Sequence, residues 1–253
     1  MSNQAAWITA AKAYPLEVKE SPMPKAGAGE VVIKNHAVAI NPVDSRRNEP
    51  LTTAGVVVKK YPNVIGTDVA GEVYEVGSGV IHVKKGDRVL GYVHLLHPLP
   101  SFPCILLQLT FQPRSHAFSL ITGNPTNGGF NLYTLCNSLA VSPIPTSLSY
   151  SSAAVLPLSI STASACLYKH ETLSLPLPST SSKSTNKSVL IWGGSSSVGA
   201  SAIQLAAASG VTVVSVASKH NLGKLKELGA KQCWLEANEA ESTPGFSFTL
   251  HRK

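Results

Sequence analysis

"SVLIWGGSSSVGASAIQLA", residues 188–206, decides the fold. Val189–Trp192 is short and apolar, which reads as a strand. Gly193-Gly194 marks a turn, and from Val198 to Ser209 the apolar residues recur at helical spacing. Strand, glycine turn and helix in that order have a specific use. Glycines permit the tight turn and let the backbone approach a pyrophosphate. The helix start then offers unpaired N–H groups and a partial positive charge. Gly199 has no side chain, which allows the helix to pack closely on the strand. Ser196 stands where the usual fingerprint has its middle glycine, and its hydroxyl is expected to donate to a phosphate. Gly193, Gly194, Ser195, Ser196, Ser197, Val198 and Gly199 are therefore the candidate phosphate cradle.

Working outward, the pattern alternates strand and helix. Val211–Ala217 reads as a second strand, Asn221–Leu228 as a helix stopped by Gly229, and Gln232–Leu235 as a third strand. Strands joined through helices at this spacing form a parallel sheet, so the fold class is α/β. A site for NAD usually has Asp or Glu at the end of the second strand, where it binds the ribose 2′-hydroxyl. Here the strand ends Ser218-Lys219-His220-Asn221, with no acid. A lysine beside a hydroxyl suits a 2′-phosphate through charge-assisted hydrogen bonds, so the cofactor expected is NADPH.

Residues 1–92 differ in texture. "GEVVIKNHAVAINPVD" alternates in its first half, with Val31 and Ile33 on one side, and stops at Pro42. "VIGTDVAGEVYEVGSGV" carries four glycines spaced like bends in a compact β-domain. "VKKGDRVLGY" places a Gly-Asp turn ahead of another strand. Between Arg88 and Lys169 Arg114 is the only Asp, Glu, Lys or Arg, and 93–122 shows no period. "SYSSAAVLPLSISTASACLYKH" (149–170) reads as a helical segment broken at Pro157. "STSSKSTNKS" (179–188) reads as a surface loop.

Composition narrows the class. The 253 residues suffice for two modest domains, and 43% are hydrophobic. The four cysteines form no C-x-x-C pair, which argues against a disulfide scaffold and for a reducing, cytoplasmic setting. No secretory leader or membrane-spanning run is read. The net charge of +7 invites nucleic acid as a partner, but the basic residues are scattered among acids with no aromatic-interleaved stripe, so no nucleic-acid contact is expected.

Together, "GEVVIKNHAVAINPVDSR", "YPNVIGTDVAGEVYEVGSGV", "KKGDRVLGY", "NGGFNLYT", "AAVLPLSISTA", "SVLIWGGSSSVGASAIQLA" and "SKHNLGKLKELGA" resemble the medium-chain dehydrogenase/reductase superfamily. "NPVD", "WGGSSSVG" and "SKHN" look most like its zinc-free branch, the quinone oxidoreductases and the fungal trans-acting enoyl reductases of polyketide pathways. The resemblance implies a GroES-like β-rich domain over 1–148 and a Rossmann-type domain over 149–253. It implies hydride transfer from NADPH to an activated carbon–carbon double bond, an enone or enoyl thioester, or to a quinone. The partner would be a small molecule, including a thioester carried on a polyketide synthase. Pro42, Val43, Asp44 and Ser45 would border the nicotinamide. Leu156, Pro157, Leu158, Ser159, Ile160, Ser161, Thr162 and Ala163 would line the cleft, with Ser161 and Thr162 as hydrogen-bonding candidates. No catalytic proton donor is identified.

Zinc is tested against the same resemblance. The alcohol-dehydrogenase branch supplies Cys in the segment that here reads Asn41-Pro42-Val43-Asp44, and a His-Glu pair where this chain has Thr67-Asp68. Without thiolate or imidazole no metal is expected. His94, His97 and Cys104 lie in a proline-rich run without a scaffold.

Two departures from the family pattern stand out. Residues 93–121 form an aberrant insertion, roughly 30 residues beyond what the connection between the strands needs. "STPGFSFTLHRK" at the end matches nothing in the family, so the Rossmann domain is expected to be C-terminally incomplete, with its first strand an exposed edge. The alternative reading is accordingly a non-catalytic, truncated pseudoenzyme that at most binds nucleotide. The insertion has the character of an intron retained in frame. Sequencing of mature transcripts is expected to find messages without the codons for 93–120; their presence in every message would refute the intron reading.

Overall fold

The alternation at 31–33 becomes the centre of an antiparallel sheet. In the computed structural model, which describes residues 2–11, 13–42, 44, 60–92 and 123–235, the chain divides into two units, 1–172 and 173–253. The insertion at 93–121, with His94, His97 and Cys104, and the segment after 235 lie outside the described residues.

The first unit contains β1 (Asn3–Ile8), β2 (Glu17–Ser21), β3 (Glu30–Ala39), β4 (Asn63–Val64), β5 (Asp68–Val76), β6 (Arg88–Tyr92), β7 (Tyr133–Asn137) and β8 (Val141–Pro143). They form a three-stranded sheet, β2-β1-β4, and a five-stranded sheet, β7-β3-β5-β6-β8, antiparallel throughout. Successive side chains of a strand point to opposite faces. Val31 and Ile33 accordingly share one core cluster with Val69, Val73, Val89 and Cys136, while Val32 packs on the other face with Tyr133 and Leu135. Gly71, read as a bend, lies inside β5, where it pairs with Asn35 on β3 and Val89 on β6.

The segment expected to be a broken helix is two helices, α1 (Tyr150–Ala154) and α2 (Pro157–Tyr168). Ser149 caps α1 by accepting from the Ser152 amide at 3.1 Å. Ala153 and Ala154 of α1 pack on Ala70, with Ala37, Ala39 and Leu90 against the same cluster. The Arg88 guanidinium donates to the carbonyls of Pro145, Thr146 and Leu148 and lies over the Tyr150 ring, whose other neighbour is a stacked His36. These contacts explain why the unit boundary falls at Thr172 and not at 148/149, where the sequence pattern placed it. Helical periodicity marks a new element, but the surface these helices bury belongs to the β-sheet.

The second unit is a three-stranded parallel sheet ordered β11-β10-β9, made of β9 (Ser188–Trp192), β10 (Thr212–Ala217) and β11 (Gln232–Leu235). Two helices provide the crossovers, α3 (Ser197–Ala208) and α4 (Leu222–Glu227). Ile191, Ile203, Ala206, Val213, Val216 and Leu225 are buried within it. Parallel pairing of consecutive strands through helices is what the alternating pattern requires. Among the described residues β9 is an edge strand, with Leu190 and Trp192 exposed.

Ile33 is fully buried in the five-stranded sheet. Ile33→Ala is expected to lower unfolding free energy by about 2–5 kcal/mol, measured by urea denaturation, because both transfer and cavity terms are lost.

Candidate functional site

The phosphate-cradle turn sits at the C-terminal end of β9. Gly193 adopts φ +68°, a conformation that costs an L-residue strain, and the space beside it is open. Gly194 and Gly199 are glycines for lack of room. A Cβ on Gly194 would fall 2.0 Å from the Ser215 Oγ, and one on Gly199 would fall 2.3 Å from the Gly193 carbonyl oxygen. The Gly194 amide donates to the Val216 carbonyl at 3.1 Å, tying the turn to the end of β10. Ser195, Ser196 and Ser197 are exposed, and Val198 is half-buried.

Ser196 is engaged differently from the sequence expectation. It is the N-cap of α3; its Oγ accepts from the Gly199 amide at 3.0 Å and donates to the Gly193 carbonyl at 2.8 Å. Its single hydroxyl hydrogen is thus directed inside the turn. Of the first-turn amides, the Gly199 N–H is taken by this cap. Those of Ser197 and Val198 have no acceptor within the helix. They, with the positive end of the helix dipole, are left at the mouth of the turn as groups of the kind that bind anions.

One strand over, β10 ends in the Lys219–Asn221 turn, with the Asn221 amide donating to the Ser218 carbonyl at 2.9 Å. Ser218, Lys219 and His220 are exposed, Asn221 is half-buried, and the Asn221 amide group lies 3.2 Å from the His220 ring nitrogen. Because β9 and β10 are parallel and paired, Trp192 opposite Val216, both candidate segments leave the same edge of the sheet. That is where open α/β sheets bind ligands.

The first unit brings together the other two candidate segments. The Asp44 amide donates to the Asn41 carbonyl at 2.8 Å, and the Asn41 amide donates to the Asp44 Oδ2 at 2.9 Å, closing a turn around exposed Pro42. The Asn41 Nδ2 donates to the Thr67 Oγ1 and to the Asp68 Oδ2, each at 3.0 Å. The Asp68 Oδ1 accepts from the Leu158 amide, in the first turn of α2, at 3.1 Å. The side chain of Val43, and Ser45, lie outside the described residues. Within α2, Pro157, Ser159 and Ala163 are buried, Leu156, Leu158, Ser161 and Thr162 are half-buried, and Ile160 is exposed. The Ser159 hydroxyl bonds back to the Leu156 carbonyl at 2.9 Å.

Asp68 was legible only as a zinc-branch counterpart; its bond to Leu158 was not. It is buried, with 1% exposure. Burial raises its pKa to about 7; the Asn41 and Leu158 hydrogen bonds pull it down, and the charge of Asp44 adds to the rise. The one available signal was negative: α2 opens Leu156-Pro157 with no Ser, Thr, Asp or Asn as its own cap.

In the segment set against the zinc-branch cysteine this chain has Asn41-Pro42-Val43-Asp44, and against its His-Glu pair it has Thr67-Asp68. The Asn41 amide hydrogens point into Thr67 and Asp68, which is a donor set for a carboxylate and not a ligand set for a cation. Among the described residues no three His, Cys, Asp or Glu side chains gather. These residues do not fit a tetrahedral zinc ion.

A β-rich unit and a Rossmann-type parallel sheet with a glycine-turn helix define an α/β, two-domain class of protein. Comparison with known proteins agrees. Residues 27–146 match the family described as Alcohol dehydrogenase GroES-like domain. The chain is 43% identical over 230 residues to the trans-enoyl reductase himH of Aspergillus japonicus, covering 91% of this chain and 58% of that protein. It is 40% identical over 233 residues to the dehydrogenase pigH of Monascus ruber, covering 90% of this chain and 56% of that one. Among solved structures, the quinone oxidoreductase from Coxiella burnetii matches with a TM-score of 0.64 at 28% identity, covering 96% of this chain and 64% of that one. These likenesses support a member of the medium-chain dehydrogenase/reductase superfamily, and the chain spans less than two thirds of the length of these relatives.

Two predictions follow from this geometry. Gly199→Ala is expected to destabilise the second unit by more than Gly193→Ala in urea unfolding. The first forces a clash with backbone, while the second adds only left-handed strain of roughly 1–2 kcal/mol. The Asp68 carboxyl, with its pKa raised to about 7 against an ordinary 3.8, binds its proton more tightly in the folded than in the unfolded chain. Its contribution to stability is therefore present at low pH and lost as pH rises through 7. The difference in unfolding free energy between the chain and Asp68→Asn should change over this window and level off above it; a constant difference would exclude Asp68 as the source.

Proposed function

We propose that this chain carries the cofactor-binding and substrate-lining parts of a zinc-independent, NADPH-dependent reductase of activated double bonds, with enones or enoyl thioesters as the favoured substrates and quinones as the second class. The observation that supports this reading best is the α3 turn, with the Ser197 and Val198 amides uncommitted and Lys219 exposed beside Ser218 at the next strand end. The likeness to proteins named trans-enoyl reductase and quinone oxidoreductase points the same way.

On this reading the pyrophosphate lies at Gly193–Gly199. The amides of Ser197 and Val198 bind it, Gly193 leaves the approach open, and Ser196 holds the turn in shape. Ser218 and Lys219 take the 2′-phosphate, with His220 and Asn221 forming the rest of that rim. Pro42, Val43, Asp44 and Ser45 border the nicotinamide, and Leu156–Ala163 line the cleft, with Ser161 and Thr162 as half-buried hydroxyls able to bind an acceptor carbonyl. When bound, the dihydronicotinamide supplies a hydride to the electron-poor β-carbon of the acceptor. Such chemistry asks the protein for positioning and carbonyl polarisation more than for a strong acid. The likeness to proteins named trans-enoyl reductase favours an enoyl substrate, and we infer a thioester presented by a polyketide synthase in a cytoplasmic setting.

Titration of the tryptophan fluorescence with NADPH and NADH tests the reading, since Trp192 adjoins the turn. Saturable binding is expected to favour NADPH by about tenfold, and Lys219→Ala should remove that preference while sparing NADH. Failure to bind either nucleotide would overturn the reading in favour of a non-catalytic chain.

A further inference from the structure

Asp68 takes no part in the chemistry just outlined, yet it joins the two segments of the first unit which that outline assigns to the cleft. One carboxylate oxygen receives the Asn41 side-chain amide at 3.0 Å, and the other receives the Leu158 backbone amide at 3.1 Å. Asn41 opens the turn that Asp44 closes, and Leu158 lies in the first turn of α2, which has no side-chain cap of its own. The bond to Leu158 spans 90 positions of sequence.

We infer that Asp68 is a positioning residue that fixes the opening of α2 against the Asn41–Asp44 turn, and so sets the spacing between the nicotinamide border and the substrate-lining hydroxyls. This rests on the reading that residues 42–45 and 156–163 border cofactor and substrate. A buried group serving stability alone is better neutral or paired with a cation. No Lys or Arg pairs with Asp68 among the described residues, and the ionisable group acting on it is Asp44, another acid. Leu156–Ala163 supply no charge to offset it. Carboxylate acceptors at a helix start are strong and directional, and they lose strength when protonated. The rigidity of the α2 opening is thus coupled to the charge on Asp68.

The test follows backbone amides of the full, ¹⁵N-labelled chain between about pH 5 and 9. The Leu158 and Asn41 amides are expected to titrate together with one midpoint near neutrality, and to stop doing so in Asp68→Asn. That variant should stay folded, because its carbonyl oxygen still accepts from Leu158 and the Asn41 amide group can turn to meet its nitrogen. In Asp68→Ala, amide exchange over 156–163 should quicken by about tenfold or more, with the rest of the unit unchanged and NADPH affinity retained. A Leu158 amide that does not move with pH in the unmodified chain would overturn the inference, a result that needs no variant to fold. Exchange over 156–163 that stays as slow in a folded Asp68→Ala would do the same.

An activity arm separates this from the reductase reading. If the chain reduces an enone, Asp68→Ala should lower kcat by about tenfold or more at similar KM for NADPH, with partial rescue in Asp68→Asn. A chain that reduces nothing would sink the reductase reading while the amide measurements still decide the role of Asp68.

Discussion

Every α-helix begins with N–H groups that the helix itself cannot satisfy. Much of this chain's candidate site is an answer to that constraint. Two helices of twelve residues open at the candidate segments, and they meet the requirement by opposite means. α3 is capped from one residue before it, by the Ser196 hydroxyl. α2 opens with leucine and proline and takes its acceptor from the first residue of β5. The local solution leaves two amides unspent at the mouth of a glycine turn, where an anion can use them. The distant solution leaves no such vacancy at Leu158, but it ties the opening of α2 to the Asn41–Asp44 turn.

The distant solution has an electrostatic cost. A carboxylate with 1% exposure has surrendered its hydration, and three neighbouring groups (the Asn41 amide, the Leu158 amide and the Thr67 hydroxyl) return only part of it. A zinc ion would have reversed that balance, since a divalent charge holds neighbouring carboxylates ionised. In its place Asn41 offers neutral N–H groups. Asn41 thus organises this site around hydrogen-bond donors, beside an acid whose charge state is sensitive near neutral pH.

How much of this could be read from sequence depends on the distance over which each interaction acts. β9, α3, β10, α4 and β11 were legible to within a residue or two, because a strand–turn–helix repeat is written in local periodicity and β11 follows α4 after a short turn. The opposite faces of Val31 and Val32 were legible for the same reason. The position of Ser196 in the fingerprint was legible, but the direction of one hydroxyl hydrogen depends on Gly193 and Gly199 closing around it. The boundary at Thr172 was hidden because periodicity marks where α1 and α2 begin, not which sheet they cover. Asp68 was hidden most deeply. No local pattern says that a helix without a cap will find one on a strand 90 positions away.

Under the proposed function, the parts of a nucleotide site contribute differently. The amides and dipole of α3 would act on a pyrophosphate, which NADH and NADPH share, so they would supply affinity without choosing between the two. Choice has to come from the end of β10. There the chain presents Ser218, Lys219 and His220, all exposed, and no carboxylate. An exposed lysine paired with a lone carboxylate is worth little, because water screens it and its side chain loses freedom. Against a phosphate dianion the balance improves, since several donors converge on one group of higher charge. The absent acid matters as much, for a carboxylate at this position would repel the 2′-phosphate and reward the free hydroxyl. Selectivity on this reading is set by one charge present and one charge missing, on a strand end that the parallel register holds next to the phosphate turn.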